Sequence, residues 1–206
     1  MSESTISERI LAETESLFMQ YGIRSVTMDD ISRALAISKK TIYQHFKDKD
    51  EIVLRVAERV FEKERQIMSQ MHEQGENVIH EMVLISKYIR EYVSSTNPSA
   101  IHDLQRFYKE AWDIFLAFQQ DSLKLIEDTI SKGMVEGYFR SDINARILAI
   151  YRSETISLSF DQRLFPRKQF DPRLVQTQLF DQFINGIVTD KGRALYHKYS
   201  EKLVSL

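Results

Sequence analysis

Only three Pro and six Gly punctuate these 206 residues, and that scarcity of chain breakers is what most restricts the fold, because little loop punctuation favours long helices. The helix starts are legible. Thr5 stands three residues before Glu8, Thr27 three before Asp30 and Asp48 three before Glu51, a spacing that lets a cap side chain and an acid answer each other's orphan backbone N–H groups. Ser38 offers a further cap, and Asn97-Pro98 and Asp171-Pro172 pair a cap with a proline at the first helical position. Between these marks apolar residues recur at helical spacing, no segment alternates as a strand would, and no repeat or low-complexity tract occurs. The expected fold class is all-α.

The spacing predicts a first helix through Ile10, Leu11, Leu17, Phe18 and Tyr21, closed by Gly22. A short second helix buries Met28, Ile31 and Leu35, and a third turns Ile42 and Phe46 inward. The fourth runs from Asp48 through Ile52, Val56, Val60, Ile67 and Met71 to a break at Glu73-Gln74-Gly75-Glu76. Beyond it the pattern predicts one helix through Val78, Met82, Ile85 and Ile89. A long helix follows from Asn97-Pro98 through Leu104, Trp112 and Phe115, kinked near Phe118-Gln119-Gln120 and ending at Gly137. Another starts at Ser141-Asp142 and stops at Pro166, and a last one starts at Asp171-Pro172 and carries Val175, Leu179, Phe183 and Ile187. The expected division is an N-terminal three-helix unit over residues 1–50 and a second helical unit over 51–206.

Composition removes several function classes. With no Cys, disulfides, thiolate metal sites and cysteine nucleophiles are excluded. His72, His80, His102 and His197 form no i,i+4 pair and no acidic cluster surrounds them, so no metal and no cofactor is expected. Gly133 and Gly137 are spaced as G-x-x-x-G in a segment too polar for a membrane helix and are expected at a helix end or turn. No nucleophile elbow, phosphate loop or dinucleotide fingerprint occurs, and enzymatic activity has no support. No apolar run approaches membrane-spanning length and Met1 to Ile10 is polar and acidic, so the expected location is the cytoplasm, with no membrane partner. A net charge of −2 argues against a protein that coats nucleic acid indiscriminately. The distribution matters more: from Arg33 to Lys49 there are five basic residues and a single acid, Asp48.

That basic window coincides with two short capped helices joined at Ala36-Ile37, the plan of a helix-turn-helix whose second helix can enter the DNA major groove. With Ile42 and Phe46 inward, the opposite face presents Lys39, Lys40, Tyr43 and Gln44, long donors and a ring suited to base edges and methyl groups. Backbone N–H groups at the starts of the second and fourth helices, with Thr27 and Lys49 beside them, can hold phosphates. The bland alternative is a solvated basic face, and agreement of caps, helix lengths and inward residues favours the DNA reading.

Residues 38–49, Ser-Lys-Lys-Thr-Ile-Tyr-Gln-His-Phe-Lys-Asp-Lys, resemble the recognition-helix segment of TetR-family (tetracycline repressor, AcrR-like) regulators, and they follow a first helix ending Phe18-Met-Gln-Tyr-Gly22. Glu136-Gly-Tyr-Phe-Arg-Ser-Asp142 and Phe183-Ile-Asn-Gly-Ile-Val-Thr-Asp-Lys-Gly-Arg193 resemble later segments of the same family. The resemblance implies that Lys39, Lys40, Tyr43 and Gln44 approach bases while Thr27, Thr41, His45 and Lys49 lean toward the DNA backbone, with Ser38 at the cap between them. Two residues depart from it. Ala36 stands where many members have Gly, and a left-handed backbone there would cost about 1 kcal/mol; Lys40 replaces a frequent small residue.

The resemblance also implies a transcriptional repressor that binds a near-palindromic double-stranded DNA operator and is released by a small-molecule inducer held among the C-terminal helices. Tyr88, Tyr108, Trp112, Phe115 and Tyr151 are the candidate pocket aromatics, with core packing as their alternative. Arg152 and Glu154 could be pocket groups, a buried pair or outer-face residues. One recognition helix spans few base pairs, so a homodimer is expected. The last two predicted helices carry more apolar residues than one pair needs, and Leu158, Phe160, Val175, Leu179, Phe183 and Ile187 are the dimer candidates. Two other readings of the same residues are a helical interaction protein using its helix-turn-helix as a partner surface, and an architectural or replication-linked DNA binder.

Overall fold

The computed structural model describes residues 5–204, and among these ten helices account for the regular structure. They are α1 (Ile6–Tyr21), α2 (Met28–Leu35), α3 (Lys39–Tyr43), α4 (Lys49–Gln74), α5 (Val78–Ser95), α6 (Ser99–Phe107), α7 (Lys109–Val135), α8 (Ala145–Leu158), α9 (Pro172–Ile187) and α10 (Asp190–Val204). The all-α expectation is met. Most of the predicted caps form: Thr5 and Glu8, and Thr27 and Asp30, make reciprocal capping boxes, Ser38 accepts from the Thr41 N–H, and Asp171 caps α9 with Pro172 in its first turn, whereas at Asn97-Pro98 the helix begins one residue later, at Ser99, with Pro98 itself in the cap position and Asn97 Oδ1 accepting from the Ser99 N–H at 3.0 Å. Asp48 accepts from the Glu51 N–H at 2.9 Å while the Glu51 carboxylate takes the Lys47 N–H at 2.7 Å.

The chain forms two compact units. The first runs through Arg65 and takes in Ser95–Phe118, and the second is Gln66–Ser94 with Gln119 onward. The first unit buries Ile10, Phe18, Ile31, Ile42, Phe46 and Ile52 from α1–α4 together with Ala100, Leu104 and Ala111 from α6 and α7. Burial of each large apolar side chain there stabilises by roughly 1.5–3 kcal/mol. Polar contacts tie α6 to the end of α1: the Asn97 N–H donates to Met19 O at 2.9 Å, Asn97 Nδ2 to Gln20 O at 3.1 Å, and buried Asp103 accepts from the Arg24 N–H at 2.9 Å. The second unit has its own core, in which Val78, Ile79 and Val83 of α5, Ile130 of α7, Ala149 of α8, Phe180, Phe183, Ile184 and Ile187 of α9, and Tyr196 and Tyr199 of α10 are buried.

Three departures from the sequence-based expectations have local causes. The long helix after Pro98 is interrupted at Tyr108 (φ −130°, ψ 75°), not at Phe118–Gln120, through which α7 continues; Tyr108 keeps the apolar spacing, so periodicity does not reveal the break. The helix expected from Ser141-Asp142 starts at Ala145, capped by Asn144, because the preceding backbone is engaged elsewhere. Phe139 bridges to Val188, the Arg140 N–H donates to Ile187 O and the Thr189 N–H to Tyr138 O, both at 2.9 Å. Finally, the helix expected to be the last ends at Ile187, and a further helix, α10, follows it. Gly192 lies in its first turn with no side chain because a Cβ there would collide with the Tyr138 carbonyl.

Candidate nucleic-acid interface

α2 ends in a residue that is costly to place there. Ala36 adopts φ 53°, ψ 38°, the left-handed region. Its N–H reaches Arg33 O at 3.2 Å, the Ile37 N–H reaches Ser32 O at 3.1 Å, and Ser32 Oγ donates to Ile37 O at 2.8 Å. These bonds close the turn and set the direction of α3. Ser38 then fixes its start, accepting from the Thr41 N–H at 3.1 Å with the two hydroxyls 2.9 Å apart.

From this frame Ile42 (0% exposed) and Phe46 (5%) point into the first core. Ser38, Lys39, Lys40, Tyr43, Gln44 and His45 are exposed, Tyr43 by 52%, and Thr41 is half-buried. Lys39 Nζ lies 2.9 Å from Asp29 Oδ1 and 3.1 Å from Oδ2, and this hydrogen-bonded acid raises its pKa. Asp29, on α2 and ten residues away, was absent from the sequence-based site because no local pattern connects it to Lys39. Lys47 is 87% exposed at its side chain with Asp48 only 3.9 Å away, and Arg33 is 78% exposed, so the basic window continues on both sides of α3.

Thr27 and Lys49 have work inside the domain. Thr27 Oγ1 accepts from the Asp30 N–H at 3.2 Å and donates to Asp30 Oδ2 at 2.6 Å, and the Thr27 N–H donates to the same oxygen at 2.9 Å; the two bonds to the carboxylate hold it below its ordinary pKa. Lys49 Nζ donates to Ile23 O at 2.7 Å and Val26 O at 2.5 Å and lies 5.9 Å from the Phe18 ring centroid. It satisfies carbonyls of the α1–α2 connection, and burial lowers the pKa of its ammonium group.

The pocket candidates divide between the units. Tyr108, Trp112 and Phe115 pack against the first core, with Trp112 and Phe115 stacked at 4.8 Å. In the second unit Tyr88 stacks on Tyr92 at 6.2 Å, and Tyr151 stacks on Phe183 at 6.2 Å beside a surface groove of about 270 Å³. Arg152 is buried and Glu154 exposed, so these neighbours are not a buried pair. Among the dimer candidates Val175, Phe183 and Ile187 are buried in the chain's own core, Phe160 and Leu179 are half-buried, and Leu158 is 39% exposed.

Residues 10–56, which hold this whole helix-turn-helix, match the family described as bacterial regulatory proteins, tetR family. Over this segment the chain is similar to the TetR family. A relative in Bacillus subtilis (strain 168), the uncharacterised HTH-type transcriptional regulator YvaF, is 26% identical over 187 residues, covering 90% of this chain and 97% of that one. Two solved structures share the fold. A Saccharomonospora viridis protein solved with choline has a TM-score of 0.75 at 21% identity, covering 89% of this chain and 97% of its own; SCO4454 of Streptomyces coelicolor, a TetR-family transcriptional regulator, has 0.70 at 17%, covering 86% and 91%. TetR-family members are DNA-binding regulators, not enzymes. Among the described residues no helix is long and apolar enough to cross a membrane.

Proposed function

We propose that this chain is a TetR-type transcriptional regulator, a cytoplasmic repressor that binds a near-palindromic operator as a homodimer and leaves it when a small molecule binds the C-terminal helices. The observation that carries the reading is the outward face of α3, where Lys39, Lys40, Tyr43 and Gln44 are exposed opposite a fully buried Ile42. Lys40, Tyr43 and Gln44 reach base edges, Lys39 joins them on leaving Asp29, and Ser38, Thr41, His45 and Lys47 stand toward phosphates. Thr27 and Lys49 serve indirectly, by holding α2 and the α1–α2 connection in place. Residues 1–50 supply the DNA-reading elements, and residues 51–206 sense the ligand and join the subunits.

A second copy of the chain is the proposed occupant of the outer face of α8 and α9. Ile147 (63% exposed), Ile150 (43%), Tyr151 (47%) and Leu158 (39%) line one side of α8, and Leu174 (57%) stands on α9, a run of apolar residues that a monomer would leave in water. Exposed Gly186 of α9 has nothing near its missing side chain, an opening for close approach of a partner helix. The dimer residues are therefore Ile147, Ile150, Tyr151, Leu158 and Leu174, with Leu179 and Phe160 at the margin.

Selection of genomic fragments by the purified chain at near-physiological salt, beside a Lys39→Ala, Tyr43→Ala double variant, tests the reading. Near-palindromic promoter sites recovered by the wild type and lost by the variant support it. Equal recovery by both removes α3 as the reading element. Release by a ligand must be reciprocal, because a ligand that weakens operator binding is itself weakened by operator to the same factor.

A further inference from the structure

The second unit buries a guanidinium of which one nitrogen has no hydrogen-bond partner among the described residues. Arg152, in the middle of α8, is 4% exposed, and its guanidinium carbon lies 5.0 Å from the Phe180 ring centroid and 5.8 Å from that of Phe183, both on α9. Its Nη1 is buried and has no hydrogen-bond partner among the described residues. Among the described residues no carboxylate offsets the burial: desolvation acts on the group and lowers its pKa to about 10.

One turn along α9 from Phe180, Gln176 is wholly buried. Its Nε2 donates to Ser159 Oγ at 2.7 Å and Ile156 O at 3.3 Å, while its Oε1 has no partner. As numbers rise along α8 from Arg152 to Ile156 and Ser159, the α9 partners fall from Phe183 and Phe180 to Gln176. The helices run antiparallel here, and Arg152 and Gln176 occupy successive turns of the same contact. An unused donor and an unused acceptor thus share one interior flanked by aromatic rings. Leaving either unanswered costs stability, and an apolar side chain at position 152 would spare the core an uncompensated charge. Unsatisfied groups of this kind point to a missing partner.

We propose that Arg152 anchors the carboxylate of the small-molecule effector, an apolar monocarboxylate carrying a hydroxyl or N–H that meets Gln176 Oε1. This rests on the effector-released regulator proposed above. One buried guanidinium balances one negative charge, a carboxylate matches its planar edge, and the rings of Phe180 and Phe183 receive the apolar remainder.

The test uses the full-length chain, with sodium octanoate, octanamide and inorganic phosphate at equal ionic strength as probes, read by calorimetric titration and melting temperature. Octanoate is expected to bind and raise the melting temperature, whereas octanamide and phosphate are not. Arg152→Gln should weaken octanoate about thirtyfold or more, and Arg152→Lys, which keeps a charge without the planar fork, should recover part of that loss. Octanoate and octanamide acting alike, phosphate matching octanoate, or undiminished binding in Arg152→Gln each overturn the proposal. Without ligand, Arg152→Met should melt at or above the wild-type temperature; a fall of several degrees makes Arg152 a packing residue and overturns it as well. The same samples are then titrated with a selected operator fragment. Octanoate that binds through Arg152 but leaves the DNA bound refutes the effector role while the anion site stands, and intact DNA binding with no carboxylate preference removes the anion site alone.

Discussion

Ala36 holds a conformation in which its methyl group crowds the backbone, at the one position that aims α3. Ala36→Gly should therefore raise stability by about 0.5–1 kcal/mol, the relief of strain exceeding the extra chain entropy of glycine; a urea midpoint that moves up at unchanged slope is the expected result. Thr27→Ala removes the side-chain half of the α2 capping box, leaving the Thr27 N–H bonded to Asp30 Oδ2, and should cost about 1 kcal/mol. Its partner predicts an acid limb. The folded-state pKa of Asp30 is depressed below 3.8, first by the Thr27 side chain, so its contribution is complete above that value and disappears as pH falls through the lower, folded-state pKa. Thr27→Ala should flatten the pH dependence of stability below pH 3.8. Lys49 and Lys40 separate two roles that their shared charge conceals. Lys49→Met leaves the carbonyls of Ile23 and Val26 unanswered and should destabilise by about 1–3 kcal/mol, whereas Lys40→Ala should weaken operator binding with no change in the unfolding midpoint.

Elements differ in how much of their making is local. α1, α2 and α3 carry their own caps and apolar stripes, so their existence, their inward residues and the outward face of α3 were legible in the sequence. α10 was not, because the reason Gly192 sits in a helix is the Tyr138 carbonyl, 54 residues earlier. The late start of α8 has the same origin in the pairing of residues 138–140 with 187–189. Within the site, the tie of Lys39 to Asp29 and the inward use of Lys49 were hidden for that reason: each partner belongs to another element. Helix periodicity marks which residues are apolar but not which are left over once the core is filled, so the dimer candidates Val175, Phe183 and Ile187 are buried within the chain itself while Ile147 and Ile150 stand exposed. Ile147→Glu with Ile150→Glu should give a folded monomer by sedimentation, with unchanged helix content and operator affinity reduced to that of a single half-site. A stable dimer from that variant would displace the interface from α8.

At the scale of the whole molecule, the first compact unit draws α6 and the start of α7 in with α1–α3, through Asn97, Asp103 and the shared core. Amide exchange should then protect α6 together with the DNA-reading helices, and Asp103→Ala should loosen α6 and the α1–α2 connection as one cooperative step. The tie between Lys39 and Asp29 also bears on how such a protein behaves inside a chromosome. A regulator must ignore on the order of a million or more incorrect sites, and each unneutralised lysine on its reading face lengthens its stay at all of them alike. Asp29 gives Lys39 an anion of its own, so on the proposed DNA reading arbitrary duplex would have to compete with that acid before gaining the lysine, and only a sequence that also satisfies Tyr43 and Gln44 would recover the loss. Asp29→Asn should accordingly tighten binding to random DNA more than binding to the operator, seen as a smaller ratio between the two affinities at fixed salt. An acid on a DNA-binding surface would then act as a brake on idling, shortening the search by making error brief.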